Sequence, residues 1–440
     1  MNDLIHNIVG DTAVKIAASI ENQVRAEKLQ PNDRLPSVRA LADHCGVSPA
    51  TVAAAYKTLQ DRGFVITDGR RGTRVSFRPH ATRRADVQVP PQARNLADGN
   101  PDPALLPGMG DALLRIDPSI HLYGRAPQDA NLLALVRRDF DADGVRRGDI
   151  GFVSGAVDGI ERVLTAHLRP GDRVAVEDPS FGNIIDLVTS RGMSLVPVAV
   201  DGEGLLPDAL EHACRQRIGA LILTPRAQNP TGAALSATRA RALRRVLARH
   251  EDVVVIEDDH GALTSDTPLE VLHTKQNRWA YVRSFSKGLN PDLRLAAITG
   301  DDDTMTRLLD RMVLCERWVS HILQRIAYAL LSDSGVQKQL AQAATTYAKR
   351  RESLKAALAA RGFEAMASSG YNVWVPLEEE TPVVQGLLAR GFAVSAGERF
   401  RIQSPSAIRV TCATLQPAEA TAFAEALASV FSTKRRTGNV

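Results

Sequence analysis

The chain has 440 residues, of which 44% are hydrophobic and 24% are charged. This composition is that of a globular protein with a large core, and the length predicts two or three domains. The four widely spaced cysteines exclude a disulfide framework and a cysteine-based metal site, and they predict reduced thiols in a cytoplasmic protein. No signal-peptide pattern opens the sequence, and no apolar run approaches the roughly 18 residues of a membrane span.

Positive charge is concentrated near the N-terminus. Residues 1–85 carry thirteen Lys/Arg against eight Asp/Glu, whereas the whole chain has a formal net charge of only +4. Residues 62–84 alone hold seven arginines and one acidic residue. A small basic module on a near-neutral body indicates that the module binds a polyanion. A solvated charged surface is the alternative.

Three helices and a hairpin are predicted first. Apolar spacing predicts a helix over residues 12–29, and a second helix ends at Cys45 before a glycine. A third begins at Ser48-Pro49, which supplies an N-cap hydroxyl and a proline at the first helical position. The tight turn between the last two helices is typical of a helix-turn-helix, and strand patterns around residues 68–72 predict a wing with a basic tip.

The run LPSVRALA, followed by GVS, TV, AY and RRGT, resembles the winged-helix domain of the GntR regulator family, over residues 12–76. The resemblance implies that residues 1–76 bind double-stranded operator DNA, with the third helix in the major groove. The implied DNA contacts are Arg39, Ser48, Thr51, Tyr56, Lys57, Arg70, Arg71 and Gly72. Relatives often carry a basic residue where this chain has Pro49-Ala50, which leaves more of the binding to phosphate contacts and the wing. The alternative is a winged helix that contacts only protein.

A linker and a larger α/β domain are predicted next. Residues 77–94 hold three prolines and four arginines without apolar periodicity, which indicates an exposed linker. From residue 95 strand and helix patterns alternate, which predicts a large mixed or mostly parallel sheet with helices. The clearest strand patterns are residues 173–177, 194–200, 219–224 and 252–257. After residue 304 the pattern is helical to about residue 361, and a smaller α+β unit completes a domain that extends to residue 435.

Several motifs in this domain suit pyridoxal 5'-phosphate (PLP). Ser284-Phe285-Ser286-Lys287 provides a lysine that can form an imine with an aldehyde, and the nearby hydroxyls and Arg294 can hold a phosphate. The acidic run Glu257-Asp258-Asp259 offers a carboxylate to a pyridine nitrogen, and Asn229-Pro230-Thr231-Gly232 precedes it. Each motif alone could be an ordinary turn or core packing. Their order across alternating strands and helices predicts a PLP site.

Residues 95–432 resemble the fold-type-I aminotransferases. The resemblance implies that Lys287 forms the imine with PLP and that an acidic residue keeps the pyridine nitrogen protonated. The implied cofactor-binding residues are Lys287, Asp258, Asn229, Phe181, Ser154, Gly155, Ala156, Val157, Ser284, Ser286, Arg294, Tyr123 and His260. Asp259 competes with Asp258 for the pyridine nitrogen. Tyr123 corresponds to a residue that reaches the phosphate of the other subunit of a homodimer.

Three features bear on catalysis. By resemblance, Arg409 is the arginine that binds the carboxylate of an amino-acid effector or substrate. His260 stands where many relatives have a tyrosine, and Gln128-Asp129-Ala130-Asn131 lacks the usual glycine of the loop over the substrate pocket. These departures predict at most slow half-reactions, with Lys287 as the catalytic lysine if the domain is active.

A winged helix followed by an aminotransferase-like domain is the layout of the MocR branch of the GntR regulators. Residues 154–162, 223–232, 258–260 and 318–321 are most similar to the PtsJ-type members, which are linked to vitamin B6 metabolism through control of pyridoxal kinase expression. The resemblance implies a PLP-responsive regulator of vitamin B6 metabolism or of an amino-acid-linked pathway, acting as a domain-swapped homodimer. A working aminotransferase with an accessory DNA module and a B6-binding repressor without an amino-acid partner remain open as alternatives.

Overall fold

The structure is a computed structural model that describes residues 8–25, 28–30, 33–61, 64–67, 72–75, 89–145, 148–275 and 277–437. The chain divides into two compact units, one built on the N-terminal module and one holding most of the chain after residue 84. Among the helices of the described ranges, none is both long and apolar enough to cross a membrane.

The N-terminal module is a three-helix winged helix. Its elements are α1 (Ala13–Arg25), α2 (Val38–Cys45), α3 (Pro49–Asp61), β1 (Val65–Thr67) and β2 (Thr73–Val75). Gly46 ends α2 with φ 65°, a left-handed conformation that favours glycine. The core between the helices is apolar and fully buried, formed by residues such as Ile16, Ile20, Leu41, Val52 and Leu59. The predicted helix-turn-helix and wing strands are confirmed, with α1 ending four residues earlier than predicted.

The large domain continues the strand and helix alternation. Its strands are β3 (Arg94–Leu96), β4 (Ile150–Val153), β5 (Arg173–Asp178), β6 (Ser194–Asp201), β7 (Gly204–Leu205), β8 (Ala220–Leu223), β9 (Val254–Asp259), β10 (Trp279–Ser284), β11 (Ala296–Gly300), β12 (Asn372–Pro376), β13 (Phe392–Ala396) and β14 (Ala407–Thr411). Its helices are α4 (Gly110–Arg115), α5 (Ala130–Ala142), α6 (Ala156–His167), α7 (Gly182–Ser190), α8 (Pro207–Arg215), α9 (Ala237–Leu247), α10 (Asp302–Leu314), α11 (His321–Leu331), α12 (Ser334–Ala359), α13 (Thr381–Leu388) and α14 (Pro417–Thr437).

Eight strands form the main sheet in the order β4-β11-β10-β9-β8-β5-β6-β7. β9 pairs in parallel with β8 and β10, whereas β11 is antiparallel to both β10 and β4. The central strands β8 to β11 are buried along their whole length, which explains their continuous apolar sequence. The predicted mixed α/β architecture is confirmed.

A second sheet has the order β12-β14-β13-β3 and packs with α12, α13 and α14. Its edge strand β3 pairs in parallel with β13 and was not predicted, because three residues carry too little periodicity to signal a strand. Arg94, the last residue of the predicted linker, belongs to β3, and its backbone N–H donates to Gly391 O at 2.7 Å. The small sheet therefore includes Arg94, which the sequence had placed in the linker.

Candidate cofactor site and DNA-binding surface

The main sheet gathers the predicted cofactor residues at one edge. Asn229 follows β8, Asp258 lies at the end of β9, and Lys287 follows β10. These three strands are parallel neighbours, so their carboxyl ends lie side by side, where α/β folds usually bind ligands. The pairs Ser284–Ala296 and Ala296–Val153 extend this edge to the start of β11 and the end of β4.

Lys287 has the environment of a reactive amine. Its Nζ donates to the backbone carbonyl of Gly99 at 2.8 Å. Burial and then the positive charge of Arg409 lower the pKa of Lys287 to about 8, while the negative charge of Asp98 opposes this shift. A lysine with a lowered pKa is partly neutral near neutral pH, and only the neutral amine attacks an aldehyde.

The two adjacent carboxylates at the end of β9 face different surroundings. Asp258 is 6% exposed, and its Oδ1 has no hydrogen-bond partner among the described residues. Its Oδ2 lies 3.7 Å from Nδ1 of His260. A buried carboxylate oxygen without a partner is costly, so Asp258 is suited to accept a hydrogen bond from a ligand.

Asp259 is fully buried and already paired. Its carboxylate accepts two hydrogen bonds from Arg226 at 2.9 and 2.8 Å, and Tyr281 and Arg283 lie against it. Burial would raise the pKa of Asp259, but the charge of Arg226 and these hydrogen bonds outweigh burial and lower it. The network makes Asp259 a structural residue. Sequence reasoning missed Arg226, although it lies inside the 223–232 run.

Two serine hydroxyls and the Arg294 guanidinium are the groups predicted to bind a phosphate. Ser284 and Ser286 are buried, and Oγ of Ser286 has no hydrogen-bond partner among the described residues. The guanidinium of Arg294 packs against Gly155, where a Cβ would lie only 3.0 Å from Nη2. Gly155 also has φ 100°, a backbone conformation that favours glycine.

The loop before α6 uses two of its backbone amides in internal hydrogen bonds. The N–H of Ser154 donates to Oδ2 of Asp158 at 2.8 Å, and the N–H of Gly155 donates to Val153 O at 2.8 Å. Phosphate binding by this loop stays a prediction. Ala156 and Val157, in the first turn of α6, supply the amides that point to the N-terminal end of that helix.

Gln228 connects the loop that carries Asn229 to the loop that carries Phe181, and its role was not predicted from the sequence. The amide nitrogen of Gln228 donates to Glu177 Oε2 at 3.2 Å and to Pro179 O at 2.8 Å. This contact joins the loop that carries Phe181, which is half-buried, to the loop that carries Asn229. Burial raises the pKa of Glu177 to about 8.

Arg409 is held by protein groups. It is 4% exposed, its Nη1 donates to Oδ1 of Asn229 at 3.1 Å, and its Nη2 donates to the carbonyl of Ala97. Burial is the main cause that lowers the pKa of Arg409 to about 10, with Arg399 adding to it. An effector carboxylate therefore has to compete with Asn229 and Ala97 for this guanidinium.

Tyr123 lies apart from these residues. Its ring is 80% exposed and stands 5.5 Å from the ring of Trp318, with the guanidinium of Arg317 5.6 Å from its centre. An exposed aromatic side chain of this kind is available to another molecule.

The described groups fit PLP. Oδ1 of Asp258 can accept the pyridinium N–H, Oγ of Ser286 and the Arg294 guanidinium can bind phosphate oxygens, and the Lys287 amine can react with the aldehyde. The unpartnered Asp258 and Ser286 atoms are the strongest sign, because buried polar atoms in proteins are almost always hydrogen-bonded.

On the winged helix, Arg39, Ser48 and Lys57 are exposed and Thr51 is half-buried. Oγ of Ser48 accepts from the Thr51 N–H and so caps α3, and it lies 2.9 Å from Oγ1 of Thr51.

The remaining predicted DNA contacts are Tyr56, Arg70, Arg71 and Gly72. Tyr56 is 5% exposed and its hydroxyl donates to Pro36 O at 2.7 Å, which places it in the core and corrects the prediction of a DNA contact. Arg70 and Arg71 lie outside the described residues. Gly72, at the start of β2, has φ 83°.

Comparison with known proteins identifies both parts. Residues 95–427 match aminotransferase class I and II, and residues 12–75 match bacterial regulatory proteins of the gntR family. The vitamin B6 salvage pathway transcriptional repressor PtsJ of Salmonella typhimurium is 44% identical over 418 residues, covering 94% of this chain and 96% of PtsJ. The pyridoxine biosynthesis transcriptional regulator PdxR of Corynebacterium glutamicum is 30% identical over 261 residues, 56% of this chain and 55% of PdxR.

Solved structures share the fold of the large domain. A Pyrococcus horikoshii kynurenine aminotransferase in complex with PMP aligns with a TM-score of 0.70 and 21% identity, covering 78% of this chain and 91% of the enzyme. This fold implies a PLP-binding domain. The chain therefore belongs to the MocR-type branch of the GntR transcriptional regulators, in which a gntR-family helix-turn-helix is joined to an aminotransferase class I and II domain.

Proposed function

We propose that the chain is a PLP-responsive repressor or activator of vitamin B6 salvage genes, with the pyridoxal kinase gene as the first target to test. Residues 1–76 bind operator DNA, residues 77–93 form the linker, and residues 94–435 form the PLP sensor. The observation that carries the proposal is an unpartnered Asp258 carboxylate oxygen and a low-pKa Lys287 at the carboxyl ends of neighbouring parallel strands, in a chain 44% identical to a B6 salvage repressor.

Five groups of the chain hold the cofactor in this proposal. PLP, when bound, supplies an aldehyde carbon and an electron-accepting ring. Lys287 offers its neutral amine, Asp258 accepts the ring N–H, and Arg294 with Ser286 binds the phosphate. Phe181, on the loop after β5, packs against the ring face.

A sensor role is favoured over a turnover role by the state of the carboxylate-binding arginine. Arg409 is engaged by Asn229 and by the Ala97 carbonyl, so an amino-acid effector binds only by displacing protein contacts. His260, whose Nδ1 lies 3.7 Å from Oδ2 of Asp258, replaces the tyrosine of many relatives. The alternative is a working aminotransferase with an accessory DNA module.

A homodimer fits the surface of the large domain. Large apolar side chains are exposed on and near α4, α10 and α11, with Leu114 at 86%, Leu314 at 85% and Ile120 at 78%. Apolar exposure of this extent is typical of a protein interface. In the proposed homodimer Tyr123 is available to the phosphate site of the second subunit.

Absorption spectroscopy and a turnover assay test the proposed function together. We expect purified chain to bind one PLP with an absorption band that depends on Lys287. Steady-state transamination of common amino acids and 2-oxo acids is expected to stay near background. Turnover at ordinary enzyme rates, on the order of 1 per second or faster, would favour the aminotransferase alternative. Absence of any PLP binding would overturn the sensor proposal.

A further inference from the structure

The segment Ala97-Asp98-Gly99-Asn100, called the 97–100 segment, lies directly against the two cations of the candidate site. The carbonyl of Gly99 accepts from Lys287 Nζ at 2.8 Å. The carbonyl of Ala97 accepts from Arg409 and from Oγ of Ser395, the latter at 2.7 Å. Both carbonyl-bearing residues are buried. Three side chains of the sensor domain thus hold this segment through its backbone.

The segment is built for this close approach. Gly99 has φ 70°, and a Cβ there would lie 3.0 Å from Nη1 of Arg409, so only glycine allows the contact without displacement. The exposed carboxylate of Asp98 accepts from Asn95 Nδ2 at 3.1 Å and from the Asn100 N–H at 3.0 Å, which fixes the turn. The backbone conformation and the contacts to Lys287 and Arg409 therefore depend on each other.

We propose that the 97–100 segment is a latch that is fastened to Lys287 in the ligand-free chain and released when PLP bonds to that lysine. This inference rests on the proposed function. Bonding of the neutral Nζ to the aldehyde carbon forms one C=N bond and releases the aldehyde oxygen with both amine hydrogens as water. Nζ then keeps at most one N–H and is drawn toward the cofactor, so the buried Gly99 carbonyl loses its donor. An effector carboxylate bound to Arg409 competes with the Ala97 carbonyl for the guanidinium. It therefore removes the second hydrogen bond that holds the segment.

Release of the latch affects β3, which is followed back along the sequence by the linker to the DNA-binding module. β3 (Arg94–Leu96) ends immediately before the 97–100 segment and lies at the edge of its sheet, paired with β13 over three residues. Besides this pairing, β3 is held by the Arg94 side chain, which donates to Glu419 at 2.8 Å. Short edge strands open at low cost, so loss of the contacts at residues 97–100 loosens β3. Residues 77–93 connect β3 to the winged helix in the sequence.

Hydrogen exchange of full-length protein tests the latch, read on the peptide that covers residues 94–100. In wild type, PLP should speed exchange of this peptide by about tenfold, the equilibrium change that loss of one charge-assisted hydrogen bond produces. Gly99→Ala should give the fast exchange without PLP, because the added Cβ pushes the segment off Arg409. Lys287→Met should also exchange fast and should not respond to PLP. Gly362→Ala is the matched control, because Gly362 has φ 79° with open space around its Cβ position.

The outcomes separate the latch from the proposed function. If the PLP absorption band forms while exchange at residues 94–100 is unchanged, the latch is refuted and the sensor proposal stands. If no PLP binds, the sensor proposal fails, and Gly99→Ala still decides whether the segment is fastened in the ligand-free chain. Exchange in Gly99→Ala equal to that in wild type and in Gly362→Ala refutes the latch. The latch is supported if, without PLP, exchange is fast in Gly99→Ala and Lys287→Met only, and if PLP then makes it fast in wild type.

Discussion

Replacing each of the two adjacent carboxylates of β9 by asparagine should separate fold stability from cofactor binding. Asp259 is fully buried and accepts two hydrogen bonds from Arg226, whereas Asp258 has an oxygen atom without a partner among the described residues. We expect Asp259→Asn to destabilise the ligand-free chain. We expect Asp258→Asn to leave its stability nearly unchanged and to weaken PLP binding.

The magnitudes follow from the neighbours of each carboxylate. Asp259→Asn leaves the buried guanidiniums of Arg226 and Arg283 short of one negative charge, and breaking such a buried pair costs about 3–5 kcal/mol. Asp143, 3.7 Å from Arg226 and paired with Arg283, retains part of the attraction, so we expect about 3 kcal/mol. Asp258→Asn removes a charge-assisted hydrogen bond to the ring nitrogen, which is about 1.5–3 kcal/mol, or roughly ten- to a hundred-fold in the Kd of PLP.

Thermal unfolding of PLP-free protein, followed by circular dichroism, measures the first effect, and titration of the PLP absorption band measures the second. A loss of about 3 kcal/mol in a domain of this size lowers the Tm by roughly 5 °C or more. The reasoning is refuted if Asp258→Asn lowers the Tm while Asp259→Asn keeps it and loses PLP, because the roles of the two carboxylates are then reversed.

Three further predictions address the lysine and the DNA-binding module. Borohydride reduction should fix PLP to the peptide that contains Lys287. Lys287→Ala should keep the fold but lose the PLP absorption band. PLP fixed to another lysine would contradict the proposed site. The pKa of Lys287 is lowered to about 8, so PLP bonding to the neutral amine should increase as pH rises through 8. The charge of Asp98 raises the pKa of Lys287, so Asp98→Asn should move the midpoint of this pH dependence to lower pH. Replacing Arg70 and Arg71 together should weaken binding to all DNA duplexes and reduce the slope of log affinity against log salt concentration by about one unit per lost phosphate contact. Changes at Thr51 should instead alter the preference for DNA sequence. An unchanged slope in the Arg70/Arg71 double variant would mean that the wing does not contact DNA.

The fold was predictable because its signals are strong and local. Continuous apolar runs marked the central strands such as β9, and a proline after Ser48 marked the start of α3. Local patterns could not show that β3 joins the edge of the small sheet, because its pairing with β13 connects residues almost 300 positions apart. They also could not show that Tyr56 points into the core.

The sequence predicted which residues form the candidate site but not which groups those residues contact. The motif around Lys287 identified the lysine, but the Gly99 carbonyl that it contacts lies 188 residues away. The choice between Asp258 and Asp259 depends on which one meets Arg226, and the alternation of side chains along a strand does not specify that partner. The use of the Ser154 amide inside its own loop likewise depends on the placement of Asp158.

Binding of full-length protein to a promoter fragment of the pyridoxal kinase gene from the same genome, with and without PLP, tests the central claim most directly. We expect PLP to change the affinity of wild type by about tenfold, a coupling of roughly 1.4 kcal/mol, and to leave the affinity of Lys287→Ala unchanged. DNA binding that is indifferent to PLP in wild type, or that responds equally in Lys287→Ala, would contradict it.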